Sequence, residues 1–140
     1  MAYASLEDLV ERAGQSEILE IADRDGDGIA DTDVVDAALT HADNIVNGYV
    51  GAKYALPLST ATDLVRPWAV SIARYWLHRY GPPDYVVRDY KDAIATLRDV
   101  QAGKHVLQDV AGIAPEASQT SGSFVASHPP PHFDLRGWRE

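Results

Sequence analysis

A run of acidic residues and glycines between Asp23 and Asp31 has the spacing of a loop that binds a divalent cation through oxygen atoms. Such a loop places carboxylates at positions 1, 3 and 5, a turn-forming glycine at position 6, a backbone carbonyl at position 7, and a carboxylate or a water at position 9. The matching residues, in that order, are Asp23, Asp25, Asp27, Gly28, Ile29 and Asp31. The sequence therefore predicts a Ca²⁺ site in this loop, with Ile29 contributing its carbonyl oxygen.

The loop lacks one ligand. Position 12, which normally supplies a bidentate carboxylate, is Val34, and Asp33 and Asp36 are out of register. We therefore expect weak calcium binding rather than tight sensing. The alternative is a turn in which Asp31, Thr32 or Asp33 caps the next helix. Between Asp23 and Asp36 the chain has six aspartates and one arginine. This excess of negative charge favours a bound cation, because without one the carboxylates repel each other.

Composition limits the classes of protein to which the chain can belong. Its 140 residues, 46% of them hydrophobic, fit one domain with a real core. A net charge of −9 disfavours nucleic acid or an anionic membrane as a partner. The absence of cysteine excludes disulfides and thiolate chemistry. We find no secretory signal at the start and no apolar run of membrane-spanning length, so we expect a soluble protein that contacts no membrane.

Hydrophobic periodicity predicts five helices and no full strand, only a brief β-like element at His105–Leu107, which indicates a small all-α bundle. Ser5 and Asp8 form the pattern of a capping box, and Ser16 is the predicted cap of a second short helix. The predicted helices cover residues 6–13, a short stretch after Ser16, 33–50, 62–80, and 84 to about 103. These helices would position the acidic loop between the second and the third.

The composition of the chain changes after the fifth predicted helix, from amphipathic to small, polar and proline-rich. We divide it into a helical domain, residues 1–107, and an extended arm, residues 108–140, whose run Ser127–His132 is rich in proline. The arm ends in large apolar side chains, Phe133, Leu135 and Trp138, which predict docking onto another protein. The alternative is a frayed terminus or a tail folded back on its own bundle.

Aromatic residues recur along the fourth predicted helix, at Trp68, Tyr75, Trp76 and Tyr80. Such a stripe is more often core than interface. In so small a bundle, however, it exceeds what one domain can bury, and the surplus predicts a contact between copies of the chain.

No catalytic site can be assembled from the sequence. His41 and His78 lie on predicted helices, and His128 and His132 flank prolines. The serines lie in capping and tail contexts without a histidine and aspartate to activate them. We therefore expect a protein that is not an enzyme.

Several motifs follow one another along the chain: Tyr3–Leu9, Asp23–Gly28, Asn47–Tyr49, Tyr54–Leu58, Ile72–Tyr75 with Leu77 and His78, and Leu97–Val100 with Ala102 and Gly103. Taken in this order, they resemble the head-tail connector (adaptor, or head-completion) family of Mu-like phages and prophages. The resemblance covers residues 3 to about 107. The end of the arm, Phe133–Trp138, loosely resembles the family's Phe-to-Leu-Gly-aromatic signature.

The resemblance implies a structural virion protein whose copies form a ring, twelve-membered by analogy, beneath the portal. It implies a homo-oligomer, the portal protein, and a stopper or tail-terminator protein as partners. It places the chain at the head-tail junction, after assembly in the cytoplasm of the bacterial host. The remaining alternative is a free-standing calcium-binding helical module that uses the Asp23–Asp31 loop. The missing second loop and the apolar position 12 disfavour it.

Overall fold

Local capping signals set the first helix boundaries. In the computed structural model, which describes residues 2–108 and 111–117, the Ser5 side chain accepts a hydrogen bond from the Asp8 amide at 3.3 Å, and the Asp8 carboxylate accepts one from the Ser5 amide at 2.9 Å. This reciprocal pair is the predicted capping box, and it starts α1, Leu6–Ala13.

Five helices occur in the described part of the chain, which confirms the predicted all-α bundle. They are α1 Leu6–Ala13, α2 Gln15–Ala22, α3 Thr32–Val50, α4 Thr62–Leu77 and α5 Asp84–Gln101. None of these helices is both long and apolar enough to cross a membrane.

Helix α2 begins earlier than predicted. Gly14 has a φ of +91°, which a glycine adopts without steric cost, and its carbonyl accepts a hydrogen bond from the Ile18 amide at 3.2 Å. The helix therefore starts at Gln15, and Ser16 lies inside it rather than capping it. The glycine both ends α1 and opens α2, so the two short helices follow each other without a linker.

Helix α4 lies at the centre of the bundle and packs against α1, α3 and α5. Its buried face is mostly small and aliphatic, with Ala69, Ala73 and Ile72 fully or almost fully buried. Small side chains let neighbouring helices approach closely, and α3, which packs against α4, also buries two alanines, Ala38 and Ala42. The helix ends at Leu77, before the predicted end at residue 80, because His78 has extended backbone.

The chain beyond α5 returns to the connector between α3 and α4. Tyr54 forms an isolated antiparallel bridge with Ala117, and the Ala55 amide donates to the Glu116 carbonyl at 2.8 Å. The Tyr54 hydroxyl accepts a hydrogen bond from the amide of the buried Leu107 at 3.0 Å. Within the described part of the predicted arm, Glu116 and Ala117 therefore lie against the helical domain.

Candidate metal loop and interaction surfaces

The acidic loop joins the end of α2 to the start of α3 and gathers its carboxylates at one point. Asp23, Asp25, Asp27 and Asp31 each offer an oxygen atom, and these four atoms all lie within 4.8 Å of one another. Gly26 and Gly28 have φ values of +77° and +84°, the left-handed conformations that let the chain turn back around this centre. The structure thus brings together all four carboxylates that the sequence predicts as ligands.

Backbone amides hold the loop in this shape. The Asp23 carboxylate accepts hydrogen bonds from the amides of Gly26 at 2.9 Å and Gly28 at 2.7 Å. The Asp27 carboxylate accepts one from the Ile29 amide at 2.9 Å. These bonds satisfy turn amides and hold two of the carboxylates in place. Ile29 itself is 70% exposed and lines the same cleft as Asp25 and Asp27.

Asp31 bears directly on the alternative of a turn followed by a helix cap. Its carboxylate accepts a hydrogen bond from the Arg24 amide at 3.1 Å, and it makes no side-chain capping bond to α3. The Asp31 amide donates to the Ala22 carbonyl at 3.0 Å, which closes the loop at its base. The Asp31 side chain is therefore turned toward the loop rather than toward the helix that it precedes.

The loop carboxylates shift each other's pKa values. Desolvation raises the pKa of Asp23, but hydrogen bonds with the Gly28 amide, the Asp25 side chain, the Gly26 amide and the Asp27 side chain together outweigh it, so that this pKa lies below its ordinary value. The hydrogen bond between the Asp25 and Asp23 side chains raises the pKa of Asp25, and the charges of Asp27 and Asp31 add to the increase. Crowded carboxylates of this kind favour either a shared proton or a bound cation.

Position 12 of the loop supplies no carboxylate. Val34 is half-buried and lines the same open cleft, of about 430 Å³, as Asp25, Asp27 and Asp33. The donor set consists of carboxylate and carbonyl oxygens, which are the ligands that Ca²⁺ takes, but it lacks the bidentate residue of a complete loop.

The four aromatic residues of the predicted stripe do not share one face. The Tyr75 ring stacks on Tyr90 of α5 with centroids 4.1 Å apart, and the Trp76 ring stacks on His41 of α3, also at 4.1 Å. Trp68 meets His105 edge to face at 5.7 Å. Trp76 remains 48% exposed, and Tyr80, beyond the end of α4, is 86% exposed. The exposed pair leaves aromatic surface available for a partner.

The predicted anchors of the arm, Phe133, Leu135 and Trp138, lie outside the described residues.

Sequence reasoning missed a buried ion pair. Arg74 of α4 is 6% exposed, and its Nε and Nη2 atoms donate to the two carboxylate oxygens of Glu17 on α2, at 2.5 and 2.7 Å. The hydroxyl of Tyr85 also donates to Glu17, at 3.1 Å, and the Nε2 atom of His78 lies 3.7 Å from it. The only available signal was an arginine inside an otherwise apolar stretch of α4.

Comparison with known proteins places the chain among phage proteins. Gene product J of Escherichia phage Mu is 30% identical to it over 106 residues, which are 74% of each chain. The Mu-like prophage FluMu protein gp36 of Haemophilus influenzae is 32% identical over 101 residues, which are 72% of each chain. The family described as Bacteriophage Mu, Gp36 matches residues 3–126, a range that contains the acidic loop, all five helices and the returning segment. The chain therefore belongs to the Bacteriophage Mu Gp36 family.

Proposed function

We propose that this protein is a structural component of a phage particle, a head-tail connector that forms a ring beneath the portal and links the capsid to the tail. Its partners are other copies of itself, the portal protein, and a stopper or tail-terminator protein. It assembles in the cytoplasm of the bacterial host and acts at the head-tail junction. The role is structural rather than catalytic.

The observation that carries the proposal is membership of a family of Mu phage and prophage products. One feature of the fold supports it. Trp76 and Tyr80 expose aromatic surface at one end of α4, and exposed aromatic rings are enriched in protein interfaces.

The arm supplies the second contact of the proposed connector. Phe133, Leu135 and Trp138 are close together in sequence and follow a proline-rich run, so they suit insertion into pockets of a neighbouring protein in the junction.

Localisation tests the proposed function. A chain tagged at an exposed helix position, detected by gold labelling or by imaging of the purified particle, should be found at the junction of head and tail. A deletion of its gene should produce separate heads and tails that join when the protein is added back. Detection at the capsid shell or at the tail tip instead contradicts the proposal.

A second function for the same chain is calcium binding, with the Asp23–Asp31 loop as a weak site. The favouring observation is that four carboxylates converge within 4.8 Å while Asp31 makes no cap to α3. A bound Ca²⁺ would neutralise the repulsion among these groups and fix α2 relative to α3. The alternative to the connector role is that the chain acts as a free-standing calcium-binding module, and this loop would be its binding site. The melting temperature in the presence and absence of Ca²⁺ tests whether the loop binds the ion.

A further inference from the structure

A groove of about 550 Å³ runs between α1, α4 and α5. Its apolar part is formed by the buried residues Val70 and Ala93 together with Pro67 and the half-buried Trp68. An aromatic ring and a proline beside aliphatic side chains form a surface on which another aromatic or proline-rich chain can lie.

The rim of the groove carries more negative than positive charge. Four carboxylates line it, those of Asp8, Glu11, Asp89 and Asp92, against the guanidinium groups of Arg12 and Arg66. Both guanidinium groups already have partners, because Arg12 bonds Asp89 at 3.1 Å, whereas Arg66 bonds Asp63 at 2.8 Å and lies 3.9 Å from Asp8.

Two rim carboxylates are available to a ligand. Among residues 2–108 and 111–117, neither Glu11 nor Asp92 takes part in an ion pair, and both residues are exposed. A ligand that matches this groove carries an aromatic group for the apolar part and positive charges for these two acids.

We propose that the groove receives the C-terminal segment of a neighbouring copy of this chain, residues 133–139. The segment reads Phe-Asp-Leu-Arg-Gly-Trp-Arg, so its largest aromatic residue, Trp138, stands between Arg136 and Arg139. The acidic residues Asp134 and Glu140 lie outside this Arg-Gly-Trp-Arg run, on either side of it. Trp138 fills the apolar part beside Trp68, and the two arginines meet Glu11 and Asp92. The inference rests on the proposed function, since the ring supplies the neighbouring copy.

The length of the intervening chain permits this contact. Ala117, the last described residue, is tied to Tyr54, and residues 118–132 separate it from Phe133. A fully extended segment of that length spans at most about 50 Å, which exceeds the diameter of a domain of this size. The prolines at 129–131 favour an extended chain, which carries the anchors away from the domain that they leave and toward a neighbour.

Disulfide trapping tests the contact in the full-length chain, which contains no native cysteine. One chain carries Ser71→Cys, in the groove, and a second carries Gly137→Cys, beside Trp138. The two are co-expressed in cells that produce particles, and the purified particles are oxidised with diamide. The control replaces the groove cysteine by Glu20→Cys, on the exposed part of α2. The same pairs are oxidised as concentrated purified protein, so that a result is obtained even if particles exclude the chain.

Docking in the groove of a neighbour predicts a heterodimer from the Ser71→Cys and Gly137→Cys pair at least fivefold more abundant than from the control pair. Glu11→Lys with Asp92→Lys should lower that yield about fivefold, because the rim then repels the arginines, whereas Glu20→Lys with Asp36→Lys should leave it unchanged. A yield equal to the control in both samples overturns the proposal. A third sample is a single chain that carries both Ser71→Cys and Gly137→Cys. If a crosslink forms only within this chain, and not between the two singly substituted chains, the segment lies in its own groove and the proposal is also overturned.

The connector role and the docking of the C-terminal segment in the groove can be disproved independently of each other. Chains found at the head-tail junction without the crosslink disprove groove docking and leave the connector role intact. The crosslink in purified protein, with no chain at the junction, disproves the connector role and leaves groove docking intact.

Discussion

Arg74 and Glu17 form a bidentate ion pair that joins α4 to α2 across 57 positions of sequence. Both side chains are largely buried, with 7% and 14% of their surfaces exposed. The acidic loop begins where α2 ends, so this ion pair anchors the helix that carries one side of the candidate metal site.

We predict that Glu17→Ala destabilises the protein by about 3 kcal/mol, because it leaves the Arg74 guanidinium buried without its carboxylate. Glu20→Ala, on the exposed part of the same helix, serves as the control and should cost less than about 0.5 kcal/mol. Urea denaturation followed by circular dichroism measures both. Equal losses in the two variants would show that the ion pair contributes no specific stability.

The same ion pair predicts a dependence of stability on pH. The hydrogen bonds from Arg74 lower the pKa of Glu17 below its ordinary value, despite the opposing effect of burial. A carboxylate with a lowered pKa in the folded state stabilises the protein fully above the pKa of the unfolded chain, about 4.3, and loses that contribution as the pH falls through the folded value. The difference in stability between the native chain and Glu17→Gln should therefore be largest near neutral pH and shrink below about pH 4. A constant difference from pH 7 to pH 3 would contradict this origin.

Local signals in the sequence account for much of the fold. The capping box at Ser5 and Asp8 placed α1 correctly, and α5 starts at the predicted residue, Asp84, directly after two prolines that cannot continue a helix. Both signals act between residues that are neighbours in the chain, so no tertiary information is needed to interpret them. The loop carboxylates came together as predicted for the same reason, since they are separated by only a few residues.

Long-range features were not predictable in this way. The aromatic residues of α4 suggested a single stripe, yet the helix buries Ala69 and Ala73 and directs Tyr75 and Trp76 toward different neighbours. Which side of a helix faces the centre depends on helices far away in sequence. The return of residues 111–117 to the segment between α3 and α4 likewise depends on the bridge between Tyr54 and Ala117. No pattern among neighbouring residues predicts this bridge.

Calcium should raise the melting temperature if the acidic loop binds it. For a dissociation constant on the order of 10⁻⁴ to 10⁻³ M, 5 mM Ca²⁺ adds about 1.1 to 2.3 kcal/mol of stability, which raises the melting temperature by about 4 to 8 °C. Asp25→Ala with Asp27→Ala should abolish the increment. The control, Asp33→Ala with Asp36→Ala, removes the same charge at positions that are out of register and should retain it. Identical melting curves of the native chain in chelator and in calcium would favour the turn alone.

Substitution of Tyr80 tests the proposed contact between copies of the chain. Because 86% of its surface is exposed in the single chain, Tyr80→Ala should leave the melting temperature unchanged while weakening association at least tenfold if the residue is an anchor of the ring. Val106→Ala, at a side chain that is 56% exposed, is the matched control and should affect neither property. Analytical ultracentrifugation or imaging of assembled rings gives the measurement. Normal assembly of the Tyr80 variant would remove this residue from the interface.

The last prediction concerns the anchors of the arm. Deletion of residues 128–140 should leave the helical content and the melting temperature nearly unchanged, because the described core is built from residues 3–107. Phe133, Leu135 and Trp138 are each worth roughly 1.5 to 3 kcal/mol when fully buried in a partner, so their loss should prevent stable joining of heads to tails.

The triple variant Phe133→Ser, Leu135→Ser and Trp138→Ser keeps the length of the arm and should fail in the same way. His128→Ser with His132→Ser changes the same segment without removing an anchor and should still join heads to tails. These outcomes are read by counting complete particles in an in vitro joining assay, with circular dichroism on each variant. Unfolding of the bundle in the deletion variant would mean that the segment belongs to the domain core. Normal joining by the triple variant would mean that the apolar side chains do not hold the junction together, whatever else the arm contacts.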